Sequence, residues 1–119
     1  MSRIYDSVVI FGVAERAVCP DLQERLAVLY EGQHPFIQRG VAAGLEWCCR
    51  DMSGYPPPHA EGEVRIYVGL RLSRVDVDAP LGRFSEEAVT RAVADARQRL
   101  AEAGFEQAPE FHHVASHSD

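Results

Sequence analysis

The stretch from Glu63 to Val75, EVRIYVGLRLSRV, constrains the fold more than any other part of the chain. Val64, Ile66, Val68, Leu70 and Leu72 alternate with Arg65, Tyr67, Gly69, Arg71 and Ser73. Successive side chains of a strand point to opposite faces, so this period of two predicts a strand with one face in a core and the other in water. A strand needs partners, and two more segments offer them. Residues 3–14 carry VVIF, apolar on both alternating faces, as expected of a central strand covered on both sides or nearly so. PEFHHVAS supplies a short closing strand before a polar end, residues 116–119, expected to fray.

Two helices are expected around these strands. In CPDLQERLAVLYEG, Pro20 stands at a first-turn position with Asp21 close behind, Leu22, Leu26 and Leu29 form a stripe, and Gly32 is a stop. After DAPLGRF, Ser85 is the candidate N-cap, Glu86 and Glu87 suit the positive end of the helix dipole, and Gly104 closes the helix. Its buried stripe is Val89, Ala92, Val93, Ala96, Leu100 and Ala103, opposite a solvated row of Arg91, Asp95, Arg99 and Glu102.

The middle of the chain fits two periods. GVAAGLEWCCRDM alternates as a strand would, with Leu45, Trp47 and Cys49 on one face and Glu46, Cys48 and Arg50 on the other. It also fits a helix starting near Pro35, with Ile37, Val41, Leu45 and Cys48 at helical spacing, although Gly40 and Gly44 would each cost about 1 kcal/mol there relative to Ala. The strand reading gives the order βαββαβ, with SGYPPPHAEG as the loop of the central hairpin. That is the order of an α+β, ferredoxin-like split βαβ sandwich, an antiparallel sheet with helices on one face. The helix reading gives a three-stranded α+β domain with three helices.

At 119 residues the chain is read as a single domain, residues 1–119, able to bury roughly two thirds of its unfolded surface without metal or disulfide staples. The opening MSRIYDSVVIFGVAE has an apolar run too short and too charged at its flanks for a signal peptide. No window approaches the ~20 apolar residues of a membrane span, and a cytoplasmic location is expected. Three cysteines, Cys19, Cys48 and Cys49, do not make a secreted disulfide framework. Every basic side chain is Arg, and neither Lys nor Asn occurs, which points to a GC-rich genome of bacterial or phage origin. The net charge of -6 disfavours nucleic acid and anionic membranes, whose binding rests on basic side chains displacing counterions. A sheet that stacks bases on Phe11 and Tyr67 is opposed by the same charge.

The candidate chemistries fail one by one. Cys48, Cys49, His59, His112, His113 and His117 are zinc ligand types, but neither Cys-x-x-Cys nor His-Glu-x-x-His occurs, and adjacent residues on a strand diverge. No metal and no cofactor is expected. CPDLQER places Arg25 six positions after Cys19, the spacing of a thiolate-phosphate loop. However, Pro20 has no N–H and Asp21 and Glu24 would repel the anion. A cysteine at a helix start can still have a lowered pKa. Asp76 and Asp78 share a strand face only if the strand extends that far. No Gly-rich phosphate loop, nucleophile elbow or dinucleotide fingerprint is present, and no catalytic residue is assigned.

The expected function is therefore a non-catalytic, acidic binding protein that occupies a protein partner's surface, of inhibitor, immunity or anti-defence type. Its candidate partner-binding residues are Arg65, Tyr67 and Arg71 on the sheet face away from the helices, joined by Glu46; a Tyr flanked by Arg is the composition of interface anchors. The competing class is a small enzyme or ligand binder of dimeric α/β-barrel type. It would be a homodimer with a pocket between sheet and helices and with His113 or Tyr67 as acid-base groups.

Overall fold

Four strands account for the alternating segments. The structure, a computed structural model, describes residues 4–52, 61–75 and 86–118. Strand β1 is Ile4–Val18, β2 is Glu46–Asp51, β3 is Glu63–Val75 and β4 is Glu110–Ser118. They form one sheet in the order β2-β3-β1-β4, every neighbouring pair antiparallel. The helices are α1 (Leu22–Glu31), α2 (Pro35–Ala42) and α3 (Glu86–Glu102). The architecture is α+β.

Residues 35–51 hold both of the elements that their two periods suggested, in succession. Pro35 opens α2, and the His34 side chain caps it: Nδ1 accepts the Phe36 N–H at 3.1 Å. Gly44 ends the turn after α2 with φ 78°, a conformation that disfavours any residue with a Cβ, and β2 begins two residues later. The expected βαββαβ order is corrected accordingly, since two helices stand between β1 and β2. The three-stranded alternative is corrected as well, because Glu46–Asp51 pairs with β3 over its whole length. Gly40 lies inside α2 because the helix presses on the sheet there. A Cβ at Gly40 would stand 2.3 Å from Val68 Cγ1.

The core lies between one sheet face and all three helices. Val13, Val64, Ile66 and Val68 meet Val28 of α1, Phe36 and Ile37 of α2 and Leu100 of α3. Burial of each such side chain contributes roughly 1.5–3 kcal/mol. The stripe expected for α3 is partly borne out: Ala96 and Leu100 are buried, while Val89, Ala92, Val93 and Ala103 are half-buried. Arg99 does more than meet solvent, since it pairs with Asp95 at 3.0 Å and donates from Nη1 to the Gly44 carbonyl at 3.0 Å.

The stripe expected for α1 holds only at Leu29, which is half-buried against the core. Asp21, the N-cap, accepts from the Glu24 N–H, and Gly32 closes the helix, but Val28 is the buried residue. Leu22 and Leu26 are exposed. The helix packs chiefly on β2, where the Cys49 thiol donates to the Val28 carbonyl at 3.7 Å.

Strand β4 pairs as far as Ser118 opposite Ile4, so residues 116–118, expected to fray, extend the sheet. The hairpin segment 53–60 with its three prolines, Asp76, Asp78 and the Ser85 cap lie outside the described residues.

Candidate functional site

Register fixes which side chains share the sheet face turned away from the helices. Cys49 and Ile66 pair on the core side, so Cys48 and Tyr67 pair on the other, as do Arg50 with Arg65 and Arg65 with Arg16. Glu46 lies on this second face opposite Gly69, and Arg71 lies on it opposite Ile10. The four nominated residues, Glu46, Arg65, Tyr67 and Arg71, thus share one face. Their environments differ sharply.

Tyr67 was expected on a wet face; it is only 8% exposed. It belongs to a second apolar cluster with Ile10 and Val114, against which Ala14 and Cys48 pack, and its ring lies 5.2 Å from that of His112. The alternation in β3 separates two apolar faces here rather than an apolar face from water. Glu46 and Arg71 engage each other: Arg71 Nε is 3.4 Å from Glu46 Oε2, and Arg71 Nη2 donates to the Trp47 carbonyl at 3.0 Å. Arg65 is exposed. His113 and Tyr67, named together as acid-base candidates, point to opposite faces, because His112 is the residue paired with Ile10.

One charged residue was missed entirely. Glu63 is 2% exposed, and its carboxylate is held by the Arg16 guanidinium. Sequence offered no sign of this, since Glu63 stands at the start of a strand beside a turn, where a carboxylate is normally solvated.

The cysteines behave as core. Burial pushes the Cys48 thiol up to about 11, with the Arg71 charge opposing the rise and Glu46 adding to it. Burial likewise pushes Cys49 up to about 12, with Cys48 adding to the effect. Cys19, whose place before a helix can lower a thiol pKa, is raised instead, first by burial and then by Glu24, against the pull of Arg25. Arg25 serves structure, donating to the Cys19 carbonyl at 3.4 Å and reaching Asp51 at 3.9 Å. Among the described residues no three His, Cys, Asp or Glu side chains come together as a metal site. His59 lies outside them.

Two features that sequence reading missed remain on the surface. Along α1, Leu22, Leu26 and Tyr30 recur every fourth residue, which aligns them on one side of the helix, and they are 55%, 41% and 77% exposed. The spacing was visible in the sequence. The run LAVLY, apolar at five successive positions, hid which side faces the core. The other is a cleft of about 600 Å³ between β1, the start of α2 and the turn after α3, lined by Glu15, His34, Phe36, Arg39 and Phe105 among others. There His34 Nδ1 stands 3.8 Å from Glu15 Oε2, and the Arg39 guanidinium lies 5.2 Å from the Phe105 ring centre.

Among the described residues no helix is long and apolar enough to cross a membrane. No protein family, no curated protein and no solved structure matches the chain.

Proposed function

We propose that this chain is a non-catalytic binding protein that acts by occupying a protein partner's surface, in the manner of an inhibitor, immunity or anti-defence protein. It works in the cytoplasm of a GC-rich bacterium or of a cell infected by phage. The observation that carries the reading is the Leu22, Leu26, Tyr30 stripe. A Tyr and two Leu aligned on one exposed helix face are the composition by which an amphipathic helix enters an apolar groove. The grouping of the helices against one sheet face supports reading the fold as a variant of the ferredoxin-like sandwich with one added helix. The second sheet face, with Glu46, Arg65 and Arg71 at its surface and Tyr67 packed beneath, lies on the far side of the sheet from the stripe and offers a separate polar surface. Tyr67 itself acts as its support rather than as an anchor.

Affinity capture from the native source, with wild type and the double variant Leu26→Glu, Tyr30→Ala side by side, tests the reading. Both side chains are exposed, so stability should change by no more than about 0.5 kcal/mol. The expected result is loss of the captured protein with the melting temperature nearly unchanged. Equal capture by both proteins rejects the stripe as the anchor.

A second reading, a small-ligand site between sheet and helices, is favoured by the Glu15, His34, Arg39 cleft. Against it, the His34 Nδ1 lone pair is already committed to the Phe36 N–H. A homodimer seen by sedimentation that persists in the double variant would favour this class.

A further inference from the structure

Strand β1 outruns its partner on one side. Residues 13–18 pair with β3, from Val13 opposite Val68 to Val18 opposite Glu63. On the other side the β4 ladder stops at Gly12 opposite Glu110. Pro109 gives the reason, since a proline has no N–H to donate and cannot extend the ladder. Among the described residues no strand pairs with that edge of residues 13–18, and no backbone hydrogen bond from a turn reaches it. An open edge presents a row of unpaired N–H and C=O groups, about three of each over this length, and its complement is an extended backbone.

Edges are commonly guarded by a charge, and Glu15 is one. Arg16 faces Arg65 on the second face, so Glu15 stands on the helix side between Val13 and Ala17. A guard alone needs no pocket beside it. Glu15 nevertheless forms a wall of the cleft of about 600 Å³, which Phe36 and Phe105 also line with their rings 5.1 Å apart, and which Arg39 and Glu106 border. That volume is ample for one aromatic side chain.

We propose that residues 13–18 of β1 receive an extended segment of the protein partner as an added strand, antiparallel to β1 and in line with β4, and that the cleft takes the side chain standing opposite Glu15. This deepens the binding-protein reading above and rests on it. Directly opposed residues of an antiparallel pair send their side chains to the same face, which fixes that side chain on the helix side. It is Tyr or Trp: an apolar ring suits Phe36 and Phe105, and an O–H or N–H donor at its tip suits the Glu15 and Glu106 carboxylates. Asp and Glu are excluded there, because like charges directly opposite destabilise a pair. The main chain supplies affinity, and the pocket selects the sequence. A second copy of this chain does not bring such a side chain on an open edge. β4 carries Phe111 but neither Tyr nor Trp, and Trp47 of β2 lies against Gly32.

A displayed library of random nonapeptides, selected on the full chain, supplies the probe, and the enriched peptide is synthesised with a fluorescent label. The expected sequences carry Tyr or Trp at one position, never Asp or Glu there, among β-branched or aromatic neighbours. Successive N–H groups of a strand point to opposite edges. N-methylation of one alternate set of the peptide's amides should therefore weaken binding about tenfold or more, and of the other set about twofold or less, read by anisotropy. Both changes are made in the peptide, so neither can unfold the protein. Amide exchange should slow at residues 13–18 and not in α1. Failure to enrich any peptide, equal losses from the two methylated sets, or protection confined to α1 overturns the proposal. Full binding by both methylated peptides overturns it in favour of a pocket that takes a side chain alone. Sedimentation of the chain as a dimer that the peptide splits overturns it in favour of a second copy on the edge. If the edge fails while Leu26→Glu, Tyr30→Ala still abolishes capture, only the added strand is rejected; if both fail, so is the binding-protein reading.

Discussion

Substituting Gly40→Ala tests the closest approach of helix to sheet. The new Cβ would stand 2.3 Å from Val68 Cγ1 and 3.4 Å from Val68 Cβ and Cγ2. An ordinary carbon contact is 3.5–4.0 Å, so helix and strand must part by about 1.2–1.7 Å at that point. Neither yields easily. Val68 is fully buried with a stiff, β-branched side chain, and α2 is tied at both ends, by the His34 cap and by the Leu45 N–H donating to the Gly40 carbonyl at 2.9 Å. Overpacking of this kind costs about 1–3 kcal/mol, and the gain in helix propensity returns about 1 kcal/mol. The net expectation is a loss of about 1 kcal/mol. In a Val68→Ala background both Cγ atoms are gone, the nearest remaining atom is the Cβ at 3.4 Å, and the same Gly40→Ala change should become stabilising by about 1 kcal/mol. The sign reversal amounts to a coupling of about 2 kcal/mol, well above the error of a double-mutant cycle. Urea unfolding of the four proteins measures it, with Trp47 fluorescence as the probe, since the indole lies against Gly32 near α2. Equal effects in both backgrounds, or stabilisation of the wild type by Gly40→Ala, would refute the argument.

Two further outcomes follow from buried charge and half-buried thiols. Arg16→Ala takes an ion-pair partner from the buried Glu63 carboxylate, and because Arg16 is itself 58% exposed, the usual penalty for breaking a buried pair is reduced to about 1–3 kcal/mol, seen as a lower melting temperature. Adding Glu63→Gln should recover part of that loss, whereas Arg65→Gln alone should cost nothing. Cys48 and Cys49 are raised from an ordinary value of 9.0 to about 11 and about 12. The folded chain therefore keeps protons that the unfolded chain releases; the contribution is present below pH 9 and is lost as pH rises toward 12. Urea midpoints should fall between pH 8.5 and 10.5 by more in wild type than in Cys48→Ala, Cys49→Ala. Iodoacetamide should label Cys48 of the folded chain about 100-fold more slowly than the unfolded chain at pH 8.

What was legible in the sequence depended on whether one element filled the window being read. β3 and α3 each present one period over a long run, and their core residues, Val64, Ile66, Val68, Ala96 and Leu100, were read correctly. Residues 35–51 present two periods because they contain two elements, and the boundary signal, Gly44, reads as a mere interior weakness until its positive φ is known. For α1 the difficulty was phase: with apolar residues at five successive positions, only the docking of Val28 on β2 decides that Leu22, Leu26 and Tyr30 face outward. Glu46, Arg65, Tyr67 and Arg71 do share a face, yet Tyr67 is covered where a wet position was expected, because alternation says which residues share a face and nothing about whether that face is covered. The arginine row was beyond reach. Arg16, Arg50 and Arg65 are far apart in sequence, and only strand register puts them side by side.

The acidity of the chain and its arginine row act at different ranges, which resolves their apparent conflict. At physiological salt, fields are screened over about 8 Å, so a distant ligand meets the net charge of -6, while a ligand in contact with the second face meets Arg16, Arg50, Arg65 and Arg71 with the carboxylates of Glu46 and Glu63 set among them. A polyanion that relies on counterion release along its whole length is repelled before it arrives. A protein carrying a few carboxylates on an otherwise neutral or basic surface is not repelled, and gains its pairing only on docking. The first turn of α1 reaches the same end of the sheet on the helix-covered side, since Arg25 contacts Asp51, which shares the core face with its pair partner Val64, whereas Arg50 points the other way. The apolar stripe, turned away from Val28 and the core, and the arginines of the second face therefore stand on opposite sides of the sheet, so a single flat partner surface engages one or the other.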